Sequence, residues 1–203
     1  MDIISELNGK RILIWGYGRE GKATEHFLQR CVKPASVDIF EGKKEEIDED
    51  DYDFIIKSPG IVMNEENPKY TSETELFLQQ FRDQVIGITG TKGKSTTSAM
   101  LYTVLKACSG RPVLLLGNIG QPCLDYFEEV TEDTIIVYEM SCHQLAHTNV
   151  SPHIAIFLNL YEEHLDYYGT VEKYFEAKSH IAAYQKSGDY FFVGENVPQI
   201  DTK

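Results

Sequence analysis

The stretch "GITGTKGKSTT" (Gly87–Thr97) decides how this chain is read. Its first residues belong to "VIGIT" (Val85–Thr89), a short β-branched run with the composition of a strand. After it, Ala99, Met100, Leu101, Val104 and Leu105 recur at helical spacing. A strand that feeds a glycine loop opening a helix is the physical design of a phosphate site. Amides at the helix start point at the anion, and the helix dipole favours its charge. The loop departs from G-x-x-x-x-G-K-[ST], because the position five before Gly93 is Ile88; counted from Gly90 it is compressed to G-T-K-G-K-S. Gly90 and Gly93 supply conformational freedom and room for the ligand. Gly90, Thr91, Lys92, Gly93, Lys94, Ser95 and Thr96 are therefore expected to bind a nucleoside triphosphate. Lys94 would reach the β- and γ-phosphates, Ser95 would ligate magnesium, and Thr96 adds a donor.

Magnesium needs more oxygen ligands than one serine. "IIVYEMSCHQL" (Ile135–Leu145) places Glu139 at the end of an apolar strand, the usual ligand edge of such sheets. "IAIFLNLYEEHLDYYG" (Ile154–Gly169) repeats the arrangement with Asn159, Glu162, Glu163, His164 and Asp166. Lys178, in "YFEAKSHIA" (Tyr174–Ala182), reads from its spacing alone as a surface lysine that lays its stem on apolar neighbours.

Outward from the loop, short apolar runs alternate with amphipathic stretches, which predicts an α/β fold with mostly parallel strands. The first half offers strands at "RILIWG" (Arg11–Gly16), "SVDIF" (Ser36–Phe40) and "DFIIKSPG" (Asp53–Gly60), with helices over Arg19–Cys31 and Ser72–Arg82. Ser72 followed by Glu75 has the spacing of a capping box. The pattern restarts at Asp83–Gln84, so residues 1–83 and 84–203 are expected to be separate domains. Later strands are "PVLLL", "TIIVYEMS", "IAIFLNL" and "DYFFVG". With about four strands, the second domain reads as unfinished.

Composition bounds the function. The chain has 203 residues, 42% hydrophobic and 25% charged, the profile of an ordinary globular protein. A net charge of −13 argues against nucleic acid as a partner, though not against nucleotides. Much of the acidity lies in "EGKKEEIDEDDYD" (Glu41–Asp53), read as a solvated surface segment. Cys31, Cys108, Cys123 and Cys142 form no C-x-x-C pair, which argues against a zinc site or redox dithiol and for reduced cytosolic thiols. Neither a membrane-spanning run nor a secretory start is present, so a cytoplasmic protein is expected.

"TGTKGKSTT" (Thr89–Thr97), "GNIG" (Gly117–Gly120), "EMSCHQL" (Glu139–Leu145), "NLYEEHLDYYGTVEKYFEAK" (Asn159–Lys178) and "SPGI" (Ser58–Ile61) together resemble the Mur ligases, ATP-dependent amide-bond ligases of peptidoglycan synthesis. The resemblance covers essentially the whole chain, and the compressed loop is this family's form. It implies a Rossmann-like domain followed by an incomplete P-loop central domain, with the C-terminal domain absent. Such a portion of a ligase is expected to be inactive alone. The resemblance further implies ATP, D-glutamate and UDP-N-acetylmuramoyl-L-alanine as substrates, with two magnesium ions. Lys94, His164 and Lys178 become the expected catalytic residues, and Ser95, Glu139, His164 and Lys178 the metal ligands. Lys178 would act as a carbamate, which reverses its reading as a surface lysine.

"GYGREG" (Gly16–Gly21) after a strand would ordinarily suggest a dinucleotide, with Asp38 and Glu41 near the ribose position. The resemblance redirects it to the UDP part of the substrate. Gly18, Arg19, Glu20 and Gly21 would meet the diphosphate, Glu41 would face uracil, and Ser58, Pro59 and Gly60 would line the same site. Asn118, Ser141 and Gln144 are expected substrate contacts from the second domain. His143 stands where the D-glutamate-adding members commonly carry phenylalanine, which points toward the diamino-acid-adding relatives; "SPGI" and "GYGREG" point back. A folylpolyglutamate synthase-like ligase and a non-catalytic nucleotide-binding module are the remaining readings.

Overall fold

The computed structural model describes residues 2–61 and 67–202. The chain divides into two compact units, Met1–Gln80 with Pro122–Glu128, and Phe81–Gln121 with Glu129–Lys203.

The first unit contains α1 (Ile3–Leu7), β1 (Arg11–Trp15), α2 (Arg19–Cys31), β2 (Ser36–Phe40), β3 (Phe54–Lys57), β4 (Tyr70–Thr71) and α3 (Glu73–Phe81). Its sheet has the order β2-β1-β3-β4, parallel throughout. Leu13, Trp15 and Ile55 form a core cluster that Phe40, Ile47, Tyr52 and Tyr70 partly cover. On the helical side, α2 buries Ala23, Phe27 and Leu28, and Phe27 packs at 4.7 Å against Phe127 from the later segment of this unit. The strand expected over Asp53–Gly60 is shorter, because Lys57–Ile61 turns: Ile61 N–H bonds the Ser58 carbonyl and Lys57 Nζ bonds that of Ile61. Ser72 does cap α3 through the Glu75 N–H, while the Glu75 carboxylate accepts from Thr71 Oγ1.

The second unit contains β5 (Val85–Thr89), α4 (Lys94–Cys108), β6 (Val113–Gly117), β7 (Ile135–Glu139), α5 (Cys142–Leu145), β8 (Ile154–Phe157), α6 (Leu165–Tyr168), α7 (Val171–Ala183) and β9 (Tyr190–Val193). The five strands run parallel in the order β6-β7-β5-β8-β9. Both sheets are thus of the parallel α/β kind that the alternating pattern predicts. β5 is central: the chain leaves it for β6 on one side, whereas it leaves the adjacent β8 for β9 on the other. In such sheets ligands bind beyond the carboxyl ends of the strands where the winding direction changes. The sheet core (Val85, Ile88, Ile136, Val137, Ala155, Phe157) is continuous apolar sequence, as burial on both faces requires. Met100 and Val104 on α4 and Tyr190, Phe192 and Val193 on β9 remain exposed.

Candidate active site

The loop after β5 is shaped from below by the chain leaving β8. Thr91 N–H donates to the Asn159 carbonyl at 3.0 Å, and Lys92 N–H to Asn159 Oδ1 at 2.9 Å. Asn159 Nδ2 returns a bond to the Lys92 carbonyl at 3.0 Å. The Thr91 hydroxyl accepts from Tyr161 N–H at 3.0 Å and lies 3.3 Å from the Tyr174 hydroxyl. Gly90 has φ 150°, and a Cβ there would stand 3.0 Å from Leu158 Cβ, so only glycine lets the loop lie this close to β8.

Two of the expected phosphate-facing amides, those of Thr91 and Lys92, are therefore turned onto Asn159. The first helical bond runs from Thr97 N–H to the Gly93 carbonyl, which leaves the amides of Gly93, Lys94, Ser95 and Thr96 without an intrahelical acceptor. Gly93 caps the helix with left-handed backbone and no side-chain bond. These four amides and the dipole of a 15-residue helix are the donors this segment could offer to an anion. Lys94 Nζ donates to the loop carbonyls of Gly90 (2.8 Å) and Thr91 (3.1 Å).

Glu139 ends β7 in register with Ile88 of β5 and Gly117 of β6. Gly117 has φ 100°, and a Cβ there would lie 2.3 Å from the Glu139 carbonyl. The close approach brings Asn118 over Glu139: its N–H bonds the Glu139 carbonyl at 2.9 Å, and Nδ2 donates to Oε1 at 2.8 Å. Oε2 is buried and has no hydrogen-bond partner. A buried carboxylate oxygen left in this way is costly unless a cation or water meets it.

Lys178 is 1% exposed, which corrects its reading as a surface lysine. Helical spacing located it among apolar residues of α7 without revealing that this face is covered. Its Nζ donates to the Gly90 carbonyl at 3.0 Å and to Thr89 Oγ1 at 3.4 Å, and lies 4.9 Å from the centre of the Tyr174 ring. Burial brings its pKa down to about 8; the Cys142 thiol opposes the shift, and the Lys94 charge adds to it. The amine is thus far more readily neutral than an ordinary lysine. Burial likewise pushes the Tyr174 phenol up to about 12.

His164 caps α6 with φ 56° and is half-exposed, with Glu163 Oε2 3.9 Å from its Nε2. Ser141 and Gln144 are engaged with each other: Ser141 Oγ accepts from Gln144 N–H (3.2 Å), and Gln144 Oε1 from Ser141 N–H (2.9 Å).

In the first unit the glycine turn after β1 meets the turn after β3, where Ser58 Oγ donates to the Gly16 carbonyl at 2.9 Å. Gly18 and Arg19 are exposed at the start of α2, and Gly21 is buried under it. Glu20 lies near two buried groups, Lys57 and Glu73. Burial lowers Lys57 to about 8 against the pull of Glu20, and raises Glu73 well above the carboxylate range, a shift that Glu20 reinforces. Glu41 lies exposed just beyond β2, and Pro59 and Gly60 in the turn after β3.

Sequence reasoning missed two features. Asn159 stood out only as one polar group after a strand, and nothing local announced its two-sided clamp on the loop. Cysteine spacing alone does not reveal that Cys142 gathers with His143 and His164. The adjacent Cys-His pair was the available signal.

Fold and loop together define a parallel α/β protein with a strand–glycine loop–helix unit at the carboxyl end of its central strand. Residues 88–202 match the Mur ligase middle domain, and the chain belongs to the Mur ligase family. It is 35% identical over 177 residues to a Clostridium kluyveri protein named UDP-N-acetylmuramoylalanine--D-glutamate ligase, covering 83% of this chain and 38% of that protein. A Streptococcus pyogenes protein of the same name is 33% identical over 227 residues, covering 97% and 50%. The chain therefore spans half or less of the length of these relatives. In fold it is similar to the Neisseria meningitidis UDP-N-acetylmuramate:L-alanyl-gamma-D-glutamyl-meso-diaminopimelate ligase, with a TM-score of 0.55, 17% identity, and coverage of 91% of this chain and 71% of that one.

Proposed function

We propose that this chain carries the nucleotide and UDP-substrate part of a cytoplasmic ATP-dependent ligase that joins D-glutamate to UDP-N-acetylmuramoyl-L-alanine. The names of the relatives support that substrate pair. The observation that carries the reading is the partnerless, buried Glu139 Oε2 on the same sheet edge as the loop before α4.

A carboxylate is a poor electrophile, so amide formation requires its activation. ATP phosphorylates the L-alanine carboxylate, and the D-glutamate amine attacks the acyl phosphate with phosphate as the leaving group. Phosphoryl transfer depends on alignment and charge neutralisation. Lys94 exchanges its loop carbonyls for phosphate oxygens, and the amides of Gly93–Thr96 hold the anion at the helix start. Asn118 orients Glu139 through its Oε1. Magnesium, when bound, neutralises phosphate charge, and Ser95, Glu139, His164 and a carbamylated Lys178 are the residues that would hold it. The low pKa of Lys178 supports carbamylation, which needs the neutral amine to attack carbon dioxide. The first unit would take the UDP group at Gly18–Gly21 and Ser58–Gly60, with Glu41 toward uracil. Residues 1–83 and 84–203 are read as its two domains, and without the remainder of the ligase no turnover is expected.

The test is calorimetric binding of UDP-N-acetylmuramoyl-L-alanine to the 203-residue chain, together with ADP release. Binding without D-glutamate-dependent ADP release is expected. No binding would sink the substrate assignment, and turnover by the chain alone would sink its dependence on a further domain.

A further inference from the structure

Cys142, His143 and His164 bring one thiol and two imidazoles to a single point. One ligand atom from each lies within 4.8 Å of the other two. Two segments build the cluster: Cys142 and His143 open α5 directly after its Ser141 cap, and His164 precedes α6. Cys142 is 3% exposed and His143 partly buried, whereas the His164 side chain is 45% exposed and offers the side of approach. Aromatic rings wall the site. His143 lies 4.3 Å from Tyr167 and stacks on Tyr168 at 5.5 Å. Its Nδ1 is 3.2 Å from the Tyr168 hydroxyl.

His164 carries a second, independent mark. Among the described residues it is the one non-glycine with positive φ, at 56°. Such a conformation is disfavoured for a residue with a side chain and persists where the surroundings impose it. Its ring stands 5.4 Å from that of His143.

We propose that Cys142, His143 and His164 form a binding site for a borderline-soft divalent transition cation, with Zn2+ as the type ion. Donor chemistry selects this class. Magnesium takes hard oxygen ligands, while thiolate and imidazole together suit zinc. Zn–S and Zn–N bonds of about 2.3 and 2.1 Å hold tetrahedral donors roughly 3.4–3.6 Å apart, so the three donors, which lie within 4.8 Å of one another, need to draw together by about 1 Å. Three protein ligands leave the fourth position to water. With Nδ1–H of His143 donating to Tyr168, the opposite ring nitrogen becomes the ligand, and Tyr168 supplies the outer-sphere oxygen acceptor usual for a metal-bound histidine. Binding expels the Cys142 thiol proton to solvent, while both imidazoles bind neutral and no redox change occurs. The site shares His164 with the magnesium ligands of the proposed function, whereas Cys142 and His143 belong to it alone, so a test through those two residues is distinguishable from a failure of the ligase reading.

Cobalt(II) is the probe, titrated into the reduced 203-residue chain. The wild type is expected to develop a thiolate-to-cobalt charge-transfer absorption that Zn2+ removes and a large excess of Mg2+ does not. Cys142→Ser is expected to abolish the band, and His143→Phe to weaken cobalt binding at least about tenfold, the lower bound even for an outer-sphere partner. Cys108 is exposed and provides the internal control for adventitious thiol binding. Absence of the band in the wild type, its survival in Cys142→Ser, or its loss to equimolar Mg2+ would overturn the proposal. Should Cys142→Ser not fold, judged by circular dichroism, His143→Phe decides alone: unchanged affinity rejects the site.

Discussion

The ammonium groups of Lys94 and Lys178 donate to the same acceptor, the carbonyl oxygen of Gly90, at 2.8 and 3.0 Å. Burial first, and the nearby Lys94 charge in addition, hold the Lys178 pKa near 8. Its folded pKa lies below the ordinary lysine value of 10.5, so between about pH 8 and 10.5 the unfolded chain binds more protons and stability rises with pH. Lys178→Met removes this dependence. The variant is expected to gain stability relative to wild type at pH 7, and the advantage should shrink by about 2 kcal/mol by roughly pH 9.5. Urea unfolding of both proteins across that range measures it, and a pH-independent difference would contradict the buried charge.

Glu139→Gln keeps an acceptor for Asn118 and removes the carboxylate charge beside the loop. Divalent-metal affinity, read from Mn2+ relaxation of water protons, is expected to fall about tenfold or more. Metal-free stability should not fall, since no ion pair is broken. A variant that binds Mn2+ as the wild type does would remove Glu139 from the metal site.

Asn159→Ala deletes both side-chain bonds to Lys92 while the backbone bond from Thr91 survives. The expected loss of stability is about 1 kcal/mol, because these bonds are solvent-exposed. Amide exchange should accelerate at Lys92 and much less at Thr91, and ATP affinity should drop. Equal acceleration at both amides would mean that Asn159 supports the whole segment rather than clamping one peptide.

Glu73 in the first unit is buried, and its carboxyl is held well above the usual range by burial and by Glu20. Its folded form therefore retains a proton that the unfolded chain releases, so its contribution to stability diminishes as pH rises above about 4.5. Glu73→Gln, which can still accept from Leu124 N–H, is expected to be more stable than wild type at pH 7 and to match it near pH 4. Thermal unfolding at the two values distinguishes this from a purely packing role, for which the difference would not depend on pH.

Much of this was legible in the residues themselves. Apolar runs such as "VIGIT" and "IAIF" became buried parallel strands because burial on both faces leaves that composition few other solutions. Glu139 could be placed at a strand end by the same logic. Lys178 could not, because a helix's periodicity shows which residues share a face and not whether another element covers it. Met100 and Val104 give the converse: they share helical spacing with Leu101 and Leu105, yet they face outward. Asn159 and the Cys142–His143–His164 cluster were hidden for a different reason. Each depends on segments distant in sequence being brought to one sheet edge, and no local pattern encodes that meeting.

The grip of Asn159 and Tyr161 on Thr91 and Lys92 fixes the loop backbone through the fold itself. The entropy of ordering those residues is consequently lost when the chain folds, not when a nucleotide arrives. An anion meeting such a loop has to overcome its own desolvation and lost motion and to draw Lys94 off the Gly90 and Thr91 carbonyls, but not to order the Thr91–Lys92 backbone. ATP binding should then be fast and nearly independent of loop rearrangement, and slow conformational steps in catalysis must originate elsewhere in the molecule.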